Sequence, residues 1–145
     1  MKIAFGCDHK GYILKEAVIK HIKDMGHDVV DFGCDTEESV HYPIYGEKVG
    51  RAVSKGECDF GVLICGTGFG ISLAASRVKG IRAVNCSDIY TARLTRMHNN
   101  ANVISIGSMV VGEGLALDLV ETFLSTSFEG GRHALRPEMI ENIEP

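Results

Sequence analysis

The sequence predicts an α/β domain of the doubly wound, Rossmann-like kind: a five-stranded parallel sheet with helices on both faces. Three observations carry that expectation. Short apolar runs of strand length alternate with amphipathic stretches five times along the chain. The runs are apolar on both sides, as strands covered by helices on both faces must be. The amphipathic stretch after each run has the length of a helical crossover, and such crossovers are right-handed.

The elements follow in order. KIAFGC reads as a strand and leads into a helical pattern around Tyr12 to Met25; DVVDF is followed by a helix over Tyr45 to Ser54. FGVLIC precedes a helix from Phe69 to Val78, IRAVNC one from Tyr90 to Met97, and NVISIG one from Leu115 to Leu124. The tail FEGGRHALRPEMIENIEP stands apart: Gly130-Gly131 breaks the chain, and Pro137 suits only the first turn of a helix. A short last helix reaching away from the sheet is expected. There is no tandem repeat beyond the β-α rhythm, so residues 1–145 are read as a single domain.

With 145 residues, 45% of them hydrophobic, the chain has the size of one core. A net charge of −4, with Lys and Arg scattered among acids, offers no field for nucleic acid or an anionic membrane. The apolar run in MKIAFGCDHKGY is too short for a signal peptide, and no uninterrupted apolar stretch would span a bilayer. A cytoplasmic protein is expected, with small molecules or its own copies as partners. The five cysteines (Cys7, Cys34, Cys58, Cys65, Cys86) include no CxxC pair, so they are read as free thiols rather than disulfides or a zinc site.

In an open α/β sheet, ligands bind beyond the carboxyl ends of the strands, where helix N-termini present free N–H groups. Cys7-Asp8-His9, Cys65-Gly66-Thr67, Cys86-Ser87-Asp88 and Gly107-Ser108 all fall at such ends. The loop ICGTGFGIS, with Gly66, Gly68 and Gly70, is the most distinctive. Its glycines are spaced G-x-G-x-G after the third strand, a poor match to a dinucleotide fingerprint. Gly6 to Gly11 has P-loop glycine spacing but continues Tyr12-Ile13, where a P-loop needs lysine and a hydroxyl. A cysteine-dependent phosphatase needs an arginine to close its phosphate loop, and Ile71, Ile13 and Ala92 stand there after Cys65, Cys7 and Cys86.

What fits is a thiol at a strand end beside consecutive N–H groups and a helix N-terminus. Such surroundings favour a thiolate, and the same amides can meet the charge of an oxyanion. The combination suits proton transfer next to a carbonyl. An isolated cysteine in such a place would equally serve as a small core residue, with the glycines allowing close helix packing. His98 could be no more than a favourable charge at a helix C-terminus, and Asp8 a helix cap. Arg132 and Arg136, flanking His133 in a glycine-loosened segment, suit bidentate phosphate binding or a solvated turn.

Taken together, GCDHKGY, SVHYP, ICGTGFGIS, GIRA, HNNAN, GSMVVG and EGGRHALR resemble the type B ribose-5-phosphate isomerases, in a family that also includes galactose-6-phosphate isomerase subunits. The likeness runs from Lys2 to about Glu144, with the motifs in the same order. It implies an aldose-ketose isomerase acting on a sugar phosphate through a cis-enediolate. In that resemblance Cys65 is the base between C1 and C2, and Thr67 with the amides of Gly66 to Gly70 supports the enediolate. Asp8, Tyr42 and Asn99 hold hydroxyls and reacting oxygens, His98 opens the sugar ring, and His9, Arg132 and Arg136 take the phosphate. No metal and no organic cofactor are implied. The family forms dimers or pairs of dimers whose sites mix residues of two subunits, with the C-terminal helix extending to a partner.

Two departures stand out. Met109 in GSMVVG occupies a position where these pentose-phosphate isomerases resemble one another in carrying a phosphate-binding arginine, and His41 precedes Tyr42 where aspartate is usual. Ribose 5-phosphate is the expected substrate. A six-carbon sugar or sugar phosphate, such as allose 6-phosphate or galactose 6-phosphate, is the alternative within the class, and a non-catalytic nucleotide-binding sensor domain the alternative outside it.

Overall fold

A computed structural model describes residues 1–143. Its strands are β1 (Lys2–Cys7), β2 (Asp28–Asp31), β3 (Phe60–Cys65), β4 (Ala83–Asn85) and β5 (Val103–Gly107). All pair in parallel, in the order β2-β1-β3-β5-β4. The helices are α1 (Tyr12–Asp24), α2 (Tyr42–Ser54), α3 (Phe69–Ser76), α4 (Ile89–Asn99), α5 (Glu113–Ser125) and α6 (Leu135–Glu141), with a single 3₁₀ turn at Gly131–His133.

Alternate residues of the strands feed two cores. Ile3, Phe5, Val62, Ile64, Ile104 and Ile106 pack under α1, α4 and α5, while Ala4, Leu63, Cys65 and Val103 pack under α2 and α3. A Cβ on Gly46 of α2 would lie 2.5 Å from the Ile71 carbonyl oxygen, so only glycine there lets α2 lie directly on α3.

The chain leaves β1 toward one edge of the sheet and returns to β3 on the other side of β1. That reversal puts the carboxyl ends of β1 and β3 side by side, where open α/β sheets hold ligands. Register makes it concrete: Cys7 lies opposite Ile64, Cys65 opposite Gly107, and the Asp8 amide donates to the Ile64 carbonyl at 3.2 Å.

Two boundaries differ from the sequence reading in ways that matter. Helix α2 begins at Tyr42 rather than Tyr45, because Pro43 sits in its first turn, where a missing N–H costs nothing. Tyr42 thereby stands at the mouth of the sheet. Helix α4 continues through His98 and Asn99 and is closed by Asn100 in the left-handed region at φ 49°. The buried Arg96 fixes this end: it stacks on Phe60 at 4.6 Å, and its guanidinium donates to the carbonyls of Ala101 and Thr126. Sequence alone gave no sign that this arginine is structural. No helix among the described residues is long and apolar enough to cross a membrane.

Candidate active site

The loop after β3 is built around its cysteine. Gly68 takes φ 85°, a conformation that favours glycine, and this turns its amide back onto Cys65 Sγ at 3.1 Å. An N–H aimed at sulfur bonds more strongly to a thiolate than to a thiol. The Thr67 hydroxyl accepts from the Phe69 amide at 3.3 Å, and Asn85 at the end of β4 donates to the Thr67 carbonyl at 3.0 Å. Two of the loop amides expected to face a ligand are thus spent on shaping the loop. Gly70 follows in the first turn of α3, where N–H groups have no acceptor within the helix. Asn85 was not legible as a site residue; it acts by holding the loop.

The other residues of this edge close around that loop. Asp8 is buried, and its Oδ1 accepts from the amides of Lys10 and Gly11 at 2.9 and 3.0 Å, which is the cap-like role weighed from sequence. His9 Nδ1 accepts from the Val40 amide at 3.1 Å, so in the neutral ring the proton lies on Nε2, a donor suited to an anion. The Tyr42 ring lies across Gly70: a Cβ there would come within 2.7 Å of it. Met109 donates its amide to the Gly66 carbonyl at 3.0 Å, and its thioether lies 3.2 Å from where a Gly66 Cβ would be. Lys10 flanks the same point, with Cβ and Cγ at 3.7 Å, and its carbonyl accepts from the Ser108 hydroxyl at 2.7 Å. Lys10 was missed from sequence because nothing in GCDHKGY marks it; only the fold sets it beside Gly66 and Met109.

All five cysteines are buried and free. Burial pushes the Cys7 thiol far above its usual range, with Cys34 beside it adding to the effect. Burial also raises the thiols of Cys58 and Cys86. These three serve as core residues.

His98, Asn99, Arg132 and Arg136 are elsewhere. Helix α4 runs back from the carboxyl edge, so its last turn lies at the amino edge. The Asn102 amide next to it donates to the carbonyl of Arg82, the residue just before β4. There His98 stacks on His133 with ring centroids 4.2 Å apart, and Glu129 Oε2 lies 3.3 Å from His133 Nε2 and 3.9 Å from His98 Nε2. Burial, reinforced by positive charge at His98 and Arg132, holds the His133 imidazole below its usual range. Arg132, Arg136 and Asn99 are exposed. Helix α6 is tied to this end by an ion pair between Arg82 and Glu141, while Leu135, Met139 and Ile140 face outward. Within one chain, then, Asp8, His9, Tyr42, Cys65 and Gly66 to Gly70 form one group at the carboxyl edge. His98, Asn99, Arg132 and Arg136 form a second group at the opposite edge.

Known proteins share this fold. The chain is 51% identical to ribose-5-phosphate isomerase B of Escherichia coli (strain K12), over 99% of its own length and 96% of the other's. The structure of ribose-5-phosphate isomerase B from Clostridium thermocellum superposes with a TM-score of 0.96 at 52% identity, covering 99% of this chain and 97% of that one. The ribose 5-phosphate isomerase of Thermotoga maritima gives a TM-score of 0.94 at 46% identity, covering 98% of each. The family model described as Ribose/Galactose Isomerase matches residues 3–140, a span that includes the cysteine-glycine loop, the end of α4 and the arginine segment alike, and the chain belongs to that family.

Proposed function

We propose that the protein interconverts ribose 5-phosphate and ribulose 5-phosphate. The observation that carries this reading is the N–H of Gly68 on Cys65 Sγ at the switch point of the sheet, in a chain half identical to a ribose-5-phosphate isomerase over its full length. The Cys65 thiolate takes the proton from C2 of the open-chain aldose and returns it to C1. Between those steps the charge rests on the enediolate oxygens, which face the N–H groups at the start of α3. Tyr42 and Asp8 hold the sugar hydroxyls, Thr67 keeps the loop in shape, and His9 donates to the phosphate.

His98 opens the ring by moving a proton between the ring oxygen and the anomeric hydroxyl, and it acts in the site of a second subunit. The separation of the two groups supports this: a two-fold pair of chains can set the amino edge of one against the carboxyl edge of the other. Asn99, Arg132 and Arg136 cross with it, meeting Cys65 and His9 of the neighbour. Phe69, Leu73, Tyr90 and Met139 are exposed apolar side chains that such a contact would cover. The enzyme is thus a homodimer or a pair of dimers, working on metabolites of the cytoplasm without a cofactor.

The test is a panel of aldose phosphates and free aldoses in heavy water, followed by NMR. Ribose 5-phosphate is expected to give ribulose 5-phosphate with deuterium at the exchanged carbon, while free ribose turns over poorly. Turnover of allose 6-phosphate in preference to ribose 5-phosphate would move the enzyme to six-carbon substrates.

Met109 is the specific feature that favours this second reading, since an apolar thioether leaves room beside the loop where an arginine would add charge. In the pentose reading Lys10, beside the same point of Gly66, supplies that charge. Met109→Arg is then expected to lower KM for ribose 5-phosphate by about tenfold or more with little change in kcat, and Lys10→Met to raise KM, because a bond to a charged group is worth roughly 1.5–3 kcal/mol. Steady-state kcat and KM of both variants on the pentose and hexose phosphates check it; an arginine that harms the hexose phosphate and helps the pentose would assign Met109 to the larger substrate.

A further inference from the structure

At the amino edge the end of α4 brings His98 against Glu129 and His133, a pair four residues apart in the following segment, and the isomerase chemistry does not use the three as a set. We infer that His98, Glu129 and His133 form a site for a zinc-class divalent cation, and that filling it stops the isomerase by engaging His98. One nitrogen or oxygen from each lies within 4.8 Å of the other two. Ligands of a tetrahedral zinc ion with bonds of about 2.0–2.1 Å sit about 3.3 Å from one another. Glu129 Oε2 and His133 Nε2 are already 3.3 Å apart, and His98 has to close from 3.9 Å to Glu129 and from within 4.8 Å to His133.

The pieces are held unequally, which helps binding. His133 is 7% exposed and is itself the last residue of the 3₁₀ turn, so it is a fixed ligand. His98 is part-exposed at the end of α4 and can tilt out of its stack on His133 to point its nitrogen at a shared ion. Glu129 is fixed by its backbone, whose amide donates to the Met97 carbonyl at 3.1 Å, while its carboxylate stays accessible. Two imidazoles and one carboxylate suit zinc, cobalt or nickel rather than magnesium or calcium, which prefer all-oxygen shells. Three protein ligands leave a fourth position for water or another small ligand. The guanidinium groups of Arg132 and Arg136 bear on His133 and oppose a cation; the Glu129 carboxylate offsets part of that charge.

A nitrogen bound to metal has no lone pair for proton transfer. The binding stands on geometry alone, whereas the inhibition rests on the ring-opening role proposed for His98. The experiment uses the untagged, metal-free full-length protein in phosphate-free buffer, titrated calorimetrically with Zn²⁺ and spectroscopically with Co²⁺. One ion per chain is expected, with cobalt d–d bands of a four-coordinate nitrogen-oxygen site and no sulfur-to-cobalt charge transfer. Glu129→Gln should weaken binding by at least about tenfold, and His133→Gln likewise. Because the Glu129 side chain is accessible, that variant keeps the fold even if His133→Gln does not. Sulfur charge transfer, or titrations unchanged in Glu129→Gln, would place the ion on cysteines and overturn the site.

Isomerase activity should fall with the midpoint of the titration and return with EDTA, and full activity at full occupancy would overturn the inhibition. A metal-free protein without any isomerase activity would sink the functional reading instead, and the cobalt spectrum would still decide the site.

Discussion

Cys65→Ala is expected to lower isomerisation of ribose 5-phosphate by about 10²- to 10⁴-fold, the usual loss when a general base is removed, with the fold intact. The substitution deletes one sulfur from the layer between β3 and α3, where Cys65 packs with Leu63 and Ile71. A vacancy of that size costs about 1 kcal/mol. The Gly68 turn loses its acceptor but keeps the φ that only its own backbone sets. Far-ultraviolet circular dichroism and Tm should therefore stay near wild type while kcat collapses. Cys65→Ser separates shape from proton affinity, since the hydroxyl fits the same space and accepts the same amide but does not ionise near neutral pH. It should be almost as inactive as the alanine variant, and neither should exchange the substrate proton with heavy water. Turnover close to wild type by either variant would leave Cys65 as a core residue that happens to end a strand.

The sheet was legible because its central strands β1, β3 and β5 are buried on both faces and so short that each is a single apolar word, such as FGVLIC, bounded by turn residues. The strand order was not. Placing β5 between β3 and β4 depends on which crossover packs where, and no local run encodes that. The start of α2 was missed by one turn because Tyr42-Pro43-Ile44 carries no helical periodicity of its own; the proline, which weakens a helix interior, opens one here. At the site, motif residues were legible singly and their neighbours were not. Cys65 and the glycines announce themselves, but Asn85, Lys10, Glu129 and Arg96 become meaningful only through distances between segments far apart in the chain. Individual residues could equally be read as caps or core; Asp8 does hold its own loop, and Thr67 does turn back on Phe69. What the fold adds is the division of the candidates between two edges, which no motif spacing reveals.

That division leads to the second large effect. Cys65→Ala and His98→Ala proteins, each close to inactive on cyclic ribose 5-phosphate, are expected to regain activity when mixed and allowed to exchange subunits. In a mixed dimer one site joins the altered Cys65 to the altered His98 and is doubly defective. The other site joins wild-type Cys65 to wild-type His98 and is whole. Random reassociation of equal amounts makes about half of the dimers mixed, so about a quarter of all sites, and of wild-type activity, should return. The same geometry predicts that Arg132→Ala behaves like His98→Ala in such mixtures, complementing Cys65→Ala but not His98→Ala, since Arg132 and His98 occupy the same edge of one chain. Isotope labelling of one partner and native mass spectrometry report the exchange, and the initial rate is compared with the sum of the two parents. No gain above that sum, with mixed dimers demonstrated, would require both residues to serve one chain. Helix α4 would then have to carry its last turn from the amino edge to the carboxyl edge of its own sheet, which the bonds of Arg96 to Ala101 and Thr126 and of the Asn102 amide to Arg82 forbid without unfolding that end of the domain.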